Sequence, residues 1–106
     1  MPISGIDPRM TCRAWVVWDS TGAILASFNV ASVSKYATGF YTITFAAPMP
    51  HINYEFRGAA RRIIGQFNFV IEAPDYVARS TTAIGVLSCN TSSAIDSPMM
   101  SMGVFA

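Results

Sequence analysis

Charge is scarce in this sequence. Only 12% of its residues are charged, about half of the ~25% usual in soluble domains. Seven basic and six acidic side chains leave a formal net charge of +1. A nucleic-acid binder neutralises phosphates with a clustered basic face. Here Arg61 and Arg62 are the only adjacent basic pair, too few to track a phosphate backbone. Histidine occurs once, at His51. A general base needs an orienting partner and a reacting group within reach, and the sequence around His51 identifies neither. The six carboxylates, Asp7, Asp19, Glu55, Glu72, Asp75 and Asp96, are scattered singly. A glycosidase pair needs two of them ~5–10 Å apart in a cleft, and a domain this small leaves little room for one. The two cysteines, Cys12 and Cys89, have no metal-ligand spacing and are too few for a disulfide framework. They are expected to be free, partly buried thiols. Gly58 and Gly65 lack the lysine and the strand-to-helix setting of a phosphate loop. The sequence therefore predicts a protein that is not an enzyme, with no catalytic residues, no cofactor and no metal.

Long apolar runs are also missing. Nothing approaches the ~20 continuous apolar residues of a membrane span. The start, Met1-Pro2-Ile3-Ser4-Gly5, lacks the basic and apolar regions of a secretory signal, so synthesis as a soluble cytoplasmic product is expected.

What is abundant is apolar surface. Of 106 residues, 52% are hydrophobic, and the mean hydropathy is +0.39. One domain of this size buries only ~60–65% of the surface its unfolded chain exposes, so many apolar side chains must stay outside the core. A homo-oligomer interface is the simplest place for them. Six of the seven basic residues are arginine, Lys35 being the exception, and arginine's planar, weakly hydrated fork suits interfaces.

Along the chain, residues 1–11 carry turn formers and no periodicity, which predicts an extended N-terminal arm. Residues 12–106 read as a single antiparallel β domain. Cys12 to Trp18 is rich in aromatic and β-branched residues and closes at the turn Asp19-Ser20-Thr21-Gly22. The next strand sets Ile24, Ala26, Phe28 and Val30 against Leu25, Ser27 and Asn29. Phe40 to Ala46 places Tyr41, Ile43 and Phe45 on a core face opposite threonines, and Pro48 and Pro50 end it. Ile52, Tyr54 and Phe56 alternate with Asn53, Glu55 and Arg57, a half-buried strand, and Gly58 to Gly65 reads as a loop. Phe67, Phe69 and Ile71 form the apolar phase of Gln66 to Glu72. Tyr76 to Thr82 fits a short strand or a polar connection. The last strands are Ala83 to Cys89 and Met99 to Phe105, separated by the turn-rich stretch Asn90 to Pro98. About seven short strands at this spacing predict an all-β fold, a small antiparallel β-sandwich or barrel.

Trp15 and Trp18 take opposite faces of their strand, so at most one shares the core and the other is left for a partner or ligand surface. Met99, Met100 and Met102 read as adaptable packing. Trp15, Trp18, Arg61, Arg62, Met100 and Phe105 are the candidate residues for an oligomer or partner interface.

The chain also resembles a family. Arg13-Ala14-Trp15-Val16, the turn ending Thr21-Gly22, and Ser27-Phe28-Asn29-Val30-Ala31-Ser32-Val33 carry the resemblance at the front. Thr38 to Phe45, Pro48-Met49-Pro50-His51-Ile52-Asn53-Tyr54, and Met100-Ser101-Met102-Gly103-Val104-Phe105 continue it. In this order they resemble the small β-rich C-terminal domain of tailed-phage fibre and other virion surface proteins. The resemblance implies a trimeric antiparallel β fold, carried on a virion and without enzymatic activity. Members commonly cap a long shaft, whereas here the expected lead-in to the domain is the short arm of residues 1–11. The expectation is a capsid decoration, or cement, protein that binds across subunits of a major capsid protein. The alternative is a tail-fibre or tail-tip module that recognises host surface glycan through aromatics such as Trp18 and Tyr76.

Overall fold

Among the described residues eight strands form, where the sequence predicts about seven. The computed structural model describes residues 11–61, 65 and 67–106; the predicted arm, apart from Thr11, lies outside them. The strands are β1 (Cys12–Asp19), β2 (Ile24–Phe28), β3 (Val30–Ala37), β4 (Phe40–Phe45), β5 (Glu55–Ala60), β6 (Phe69–Glu72), β7 (Ala83–Cys89) and β8 (Met99–Phe105). They make two four-stranded antiparallel sheets, ordered β2-β1-β8-β5 and β3-β4-β7-β6. The all-β expectation holds, and of the two architectures the structure is the sandwich.

The core follows from alternation. Ala14, Val16 and Trp18 of β1 point inward, as do Met100, Met102 and Val104 of β8, and they meet Tyr41, Ile43 and Phe45 of β4 and Ile84 and Val86 of β7. Side-chain period 2 puts every second residue of a strand on the same face, so the four central strands bury one apolar set each. Edge-to-face ring pairs join the two sheets' residues, Trp18 with Tyr41 at 5.6 Å and Tyr54 with Phe45 at 5.9 Å between centroids.

Three predicted elements are corrected. The strand expected to run through Val30 breaks at Asn29, whose φ of 56° is left-handed. That backbone is tolerated by asparagine better than by most residues. The Asn29 amide also grips the Arg13 carbonyl at 3.0 Å and the Ala47 N–H at 2.7 Å. This corner sends the chain from one sheet to the other, so β2 and β3 are separate edges. The second correction concerns Ile52 to Arg57. Strand pairing starts only at Glu55 and continues through Gly58 to Ala60, which the sequence assigns to a loop. Gly58 is needed there, because an added Cβ would lie 2.6 Å from the Val70 carbonyl oxygen of β6. The third is the phase of β6: Val70 is buried, while Phe67, Phe69 and Ile71 are exposed. Alternation shows which residues share a face, not which face is covered. Of the two alternatives open for Tyr76 to Thr82, the structure takes the connection. Its preceding turn lies on the outer face of the second sheet, where the Ala73 and Val77 carbonyls would sit 2.6 and 2.7 Å from a Cβ at Gly85. That cover also buries Thr42, which the threonine pattern places on an open face.

Candidate functional site

The ionisable groups serve the scaffold first. Asp96 in the β7–β8 connection accepts from Lys35 Nζ at 2.7 Å, from the Gly39 N–H at 2.8 Å and from the Tyr41 hydroxyl at 3.0 Å. Burial opposes the Asp96 charge, but these three donors outweigh it and hold the carboxyl below its ordinary value of 3.8. Arg79 forks onto Glu72, with Nε 2.9 Å and Nη2 2.6 Å from its oxygens. It donates to the Ile52 and Tyr54 carbonyls and lies 4.3 Å from the Tyr54 ring centre. Arg57 pairs with Glu55 along β5. Burial pushes the Tyr54 hydroxyl up to about 12 and raises that of Tyr41 as well. Asp19 is held low by the Thr21 hydroxyl and backbone N–H. All these shifts move away from neutrality, the direction that suits clamps and not proton transfer. His51 is exposed at the bend before β5. Cys12 and Cys89 are free thiols. Among the described residues no three His, Cys, Asp or Glu side chains gather into a metal site, and no helix is long and apolar enough to cross a membrane.

The Asp96 clamp has a definite pH signature. A carboxyl whose folded value lies below its unfolded one contributes stability that is complete above 3.8 and lost as pH falls through the folded value. We expect Asp96→Asn to be less stable than wild type at pH 7 and to lose less on acidification below about pH 4. Urea midpoints at the two pH values check this, and parallel curves would contradict it.

The open feature is the outer face of the β2-β1-β8-β5 sheet. The alternation that buries Met100, Met102 and Val104 turns Met99, Ser101, Gly103 and Phe105 outward. Register sets Trp15 beside Gly103, Arg57 beside Gly103 on the other flank, and Ala59 beside Ser101. Small residues on the central strand between larger ones leave a groove. It has one depression of about 340 Å³ against Trp15, Arg57 and Phe105, and another of about 400 Å³ against Arg61 and Met99. Val17, Ala59 and Ser101 line both, so the two are continuous. The Arg57 guanidinium, ion-paired with Glu55, sits 4.8 Å over the Phe105 ring at the rim. Trp15 is 39% exposed and pairs across strands with Phe28.

Of the predicted interface residues, Trp15, Arg61 and Phe105 belong to this groove. Trp18 and Met100 are fully buried between the sheets and offer no surface to a partner, a correction that follows from the β1 and β8 alternation. Arg62 lies outside the described residues. Sequence reading passed over Val17, Arg57, Ala59, Ser101 and Gly103; the available signal was the outward phase of Met99 to Phe105, large at its ends and small between. A second exposed group sits on the other sheet. Tyr36 and Tyr76 stack at 5.4 Å with 4° between planes, and Phe40 meets Tyr76 edge-on at 5.0 Å. In comparisons with known proteins, the chain matches no family model, no curated protein and no solved structure.

Proposed function

We propose that this chain is a non-enzymatic structural component of a tailed-phage particle, a capsid decoration protein that binds across capsid subunits as an oligomer and stabilises the head. The observation that carries the association is the groove of the β2-β1-β8-β5 sheet: apolar walls, a floor of small residues and an arginine rim. Binding energy concentrates where an anchor side chain fills such a desolvated pocket, and aromatic and arginine neighbours are the usual contributors. The stretches resembling virion surface domains, which include β1 and β8, supply the particle context. A ligand that binds only the assembled, folded lattice stabilises it by mass action.

Ser101→Arg tests this reading. The side chain is half-buried on the groove floor, so an arginine there fills the depression and is expected to weaken head binding at least about tenfold without moving the thermal midpoint much. Heads lacking the protein should lose heat tolerance, and adding wild type but not Ser101→Arg should restore it. Equal tolerance with and without the protein would overturn the proposal.

The Tyr36–Tyr76 stack supports a second reading, a tail module that binds host surface glycan. Both rings are more than half exposed, and ring faces bind sugars through their apolar sides. Trp18, expected to contribute, is buried. Tyr76→Ala would abolish glycan-array signal and competition for phage adsorption on this reading; wild type without either signal eliminates it.

A further inference from the structure

Four tyrosines occur in the sequence, and the fold divides them into two pairs. Tyr41 and Tyr54 are buried in the core, and their hydroxyls donate to fixed oxygens, Tyr41 to the Asp96 carboxylate at 3.0 Å and Tyr54 to the Ser80 carbonyl at 2.8 Å. Tyr36 and Tyr76 are 54% and 56% exposed. They are also in contact. Their ring planes differ by 4° with centroids 5.4 Å apart, the offset arrangement that sets the edge of one ring over the other. The two come from different elements, Tyr36 from the edge strand β3 and Tyr76 from the turn after β6. Phe40 of β4 stands edge-on against Tyr76 at 5.0 Å and braces that ring beside Tyr36. The two phenols that the fold leaves open to solvent are therefore stacked on each other.

We propose that Tyr36 and Tyr76 form an oxidative cross-linking site, at which a one-electron oxidant, such as a photo-oxidised metal complex or a peroxidase, joins the two rings by a carbon–carbon bond. Each phenol gives one electron to the oxidant and its hydroxyl proton to water. The phenoxyl radicals so formed carry spin density on the carbons ortho to oxygen, and one such carbon of each ring couples to the other. The hydrogen at each coupled carbon then moves as a proton to its ring's oxygen, so both phenols are restored and the chain has lost two hydrogen atoms. Radicals on separate chains must meet by diffusion, whereas two rings already in contact react at a high effective concentration. Both rings are more than half exposed, so they can turn from the stack into the edge-joined geometry without disturbing the core. Phe40 touches the same stack but has no phenol to oxidise, and cannot divert the bond. The link ties β3 to the β6–β7 connection across the outer face of the second sheet. It also closes a loop between positions forty apart in the sequence, and a cross-link of that kind stabilises mainly by restricting the unfolded chain. This inference goes beyond the groove and glycan readings and requires neither.

The test is intact mass and peptide mapping of the dilute full chain after brief illumination with ruthenium tris-bipyridyl and persulfate. The expected product is a single chain lighter by two hydrogens, with dityrosine fluorescence and one cross-linked peptide pair joining Tyr36 to Tyr76. Tyr36→Phe and Tyr76→Phe keep both rings of the stack, so each should retain the wild-type circular dichroism and lose both the linked peptide and the fluorescence. The linked wild type should also unfold at a higher urea concentration than the same protein before oxidation. Linked pairs of chains in place of the single-chain product would overturn the proposal, as would a link that includes Tyr41 or Tyr54. Fluorescence that persists in either variant, or products that carry only added oxygen, would do the same. So would an unchanged urea midpoint in the linked protein, since the bond would then brace nothing.

Discussion

Gly39→Ala is expected to lower stability by at least about 3 kcal/mol, combining left-handed strain with an overlap that the surroundings cannot relieve. Gly39 has φ +79°, and an added Cβ would lie 2.4 Å from the Ser88 carbonyl oxygen and 3.0 Å from both the N and the O of Ile95. All three are backbone atoms, and the Ser88 oxygen and the Ile95 nitrogen are already bonded to each other. The Ser88 N–H donates to the Gly39 carbonyl at 2.7 Å, and the Ile95 N–H donates to the Ser88 carbonyl at 2.9 Å. Moving either away breaks the strap that carries Asp96 to Lys35 and Tyr41. Small domains are stable by only about 5–15 kcal/mol in total, so the variant should show a much lower urea midpoint or be unfolded at 37 °C. Gly65 is the control. Its φ is +86°, but no described atom lies within 4 Å of the added Cβ, so Gly65→Ala should cost only the conformational strain, about 1–2 kcal/mol. Equal losses at the two positions would mean that the β3–β4 turn is not seated beneath the β7–β8 connection.

That contact shows where sequence reading ends. Thr38-Gly39 is legible as a turn, and its flanking strand β4 as a core strand, because Tyr41, Ile43 and Phe45 alternate cleanly. Nothing local announces that Asp96, far along the chain, closes over it. The same division holds throughout. β1, β4, β7 and β8 are central strands covered on their inner faces, and their periodicity alone places them. The edges β2, β3, β5 and β6 are where the expectations shifted. Apolar alternation in β2 and β6 marks faces that no opposite sheet covers. Gly58-Ala59-Ala60 has too little side chain to signal a strand, yet its smallness is what lets β5 lie against β6.

The excess of apolar residues has a corresponding location. The central core takes the inward phases of the central strands and leaves Ile24, Leu25 and Phe28 on β2, Phe69 and Ile71 on β6, and Trp15 and Met99 on the outer sheet face exposed. These positions fall on edges and on the groove rim, the two kinds of surface that another chain can complete. Of the candidate site, the exposed phase of Trp15 and Phe105 was readable from alternation; the groove between them depends on register, which sets Gly103 and Ser101 between β1 and β5.

The two tryptophans turn this division into a measurable contrast. Trp18→Ala is expected to cost about 3–5 kcal/mol, since it empties a large volume between the sheets that the packed neighbours cannot fill. Trp15→Ala, three residues away on the opposite face, should cost no more than about 1 kcal/mol of stability while impairing association through the groove. Trp18→Phe adds a finer test. The indole N–H of Trp18 is buried with no hydrogen-bond partner among the described residues, and an unpaired buried donor is itself destabilising by about 1–3 kcal/mol. Phenylalanine removes that donor, keeps the edge-to-face contact with Tyr41 and leaves a smaller void. The opposing effects should nearly cancel, giving a net loss of about 1 kcal/mol or less. Denaturant midpoints of the three variants order the effects, with Trp18→Ala far below the other two. If Trp18→Phe were as damaging as Trp18→Ala, the indole N–H would be making a bond that holds the sheets together, and the packing account of Trp18 would fail.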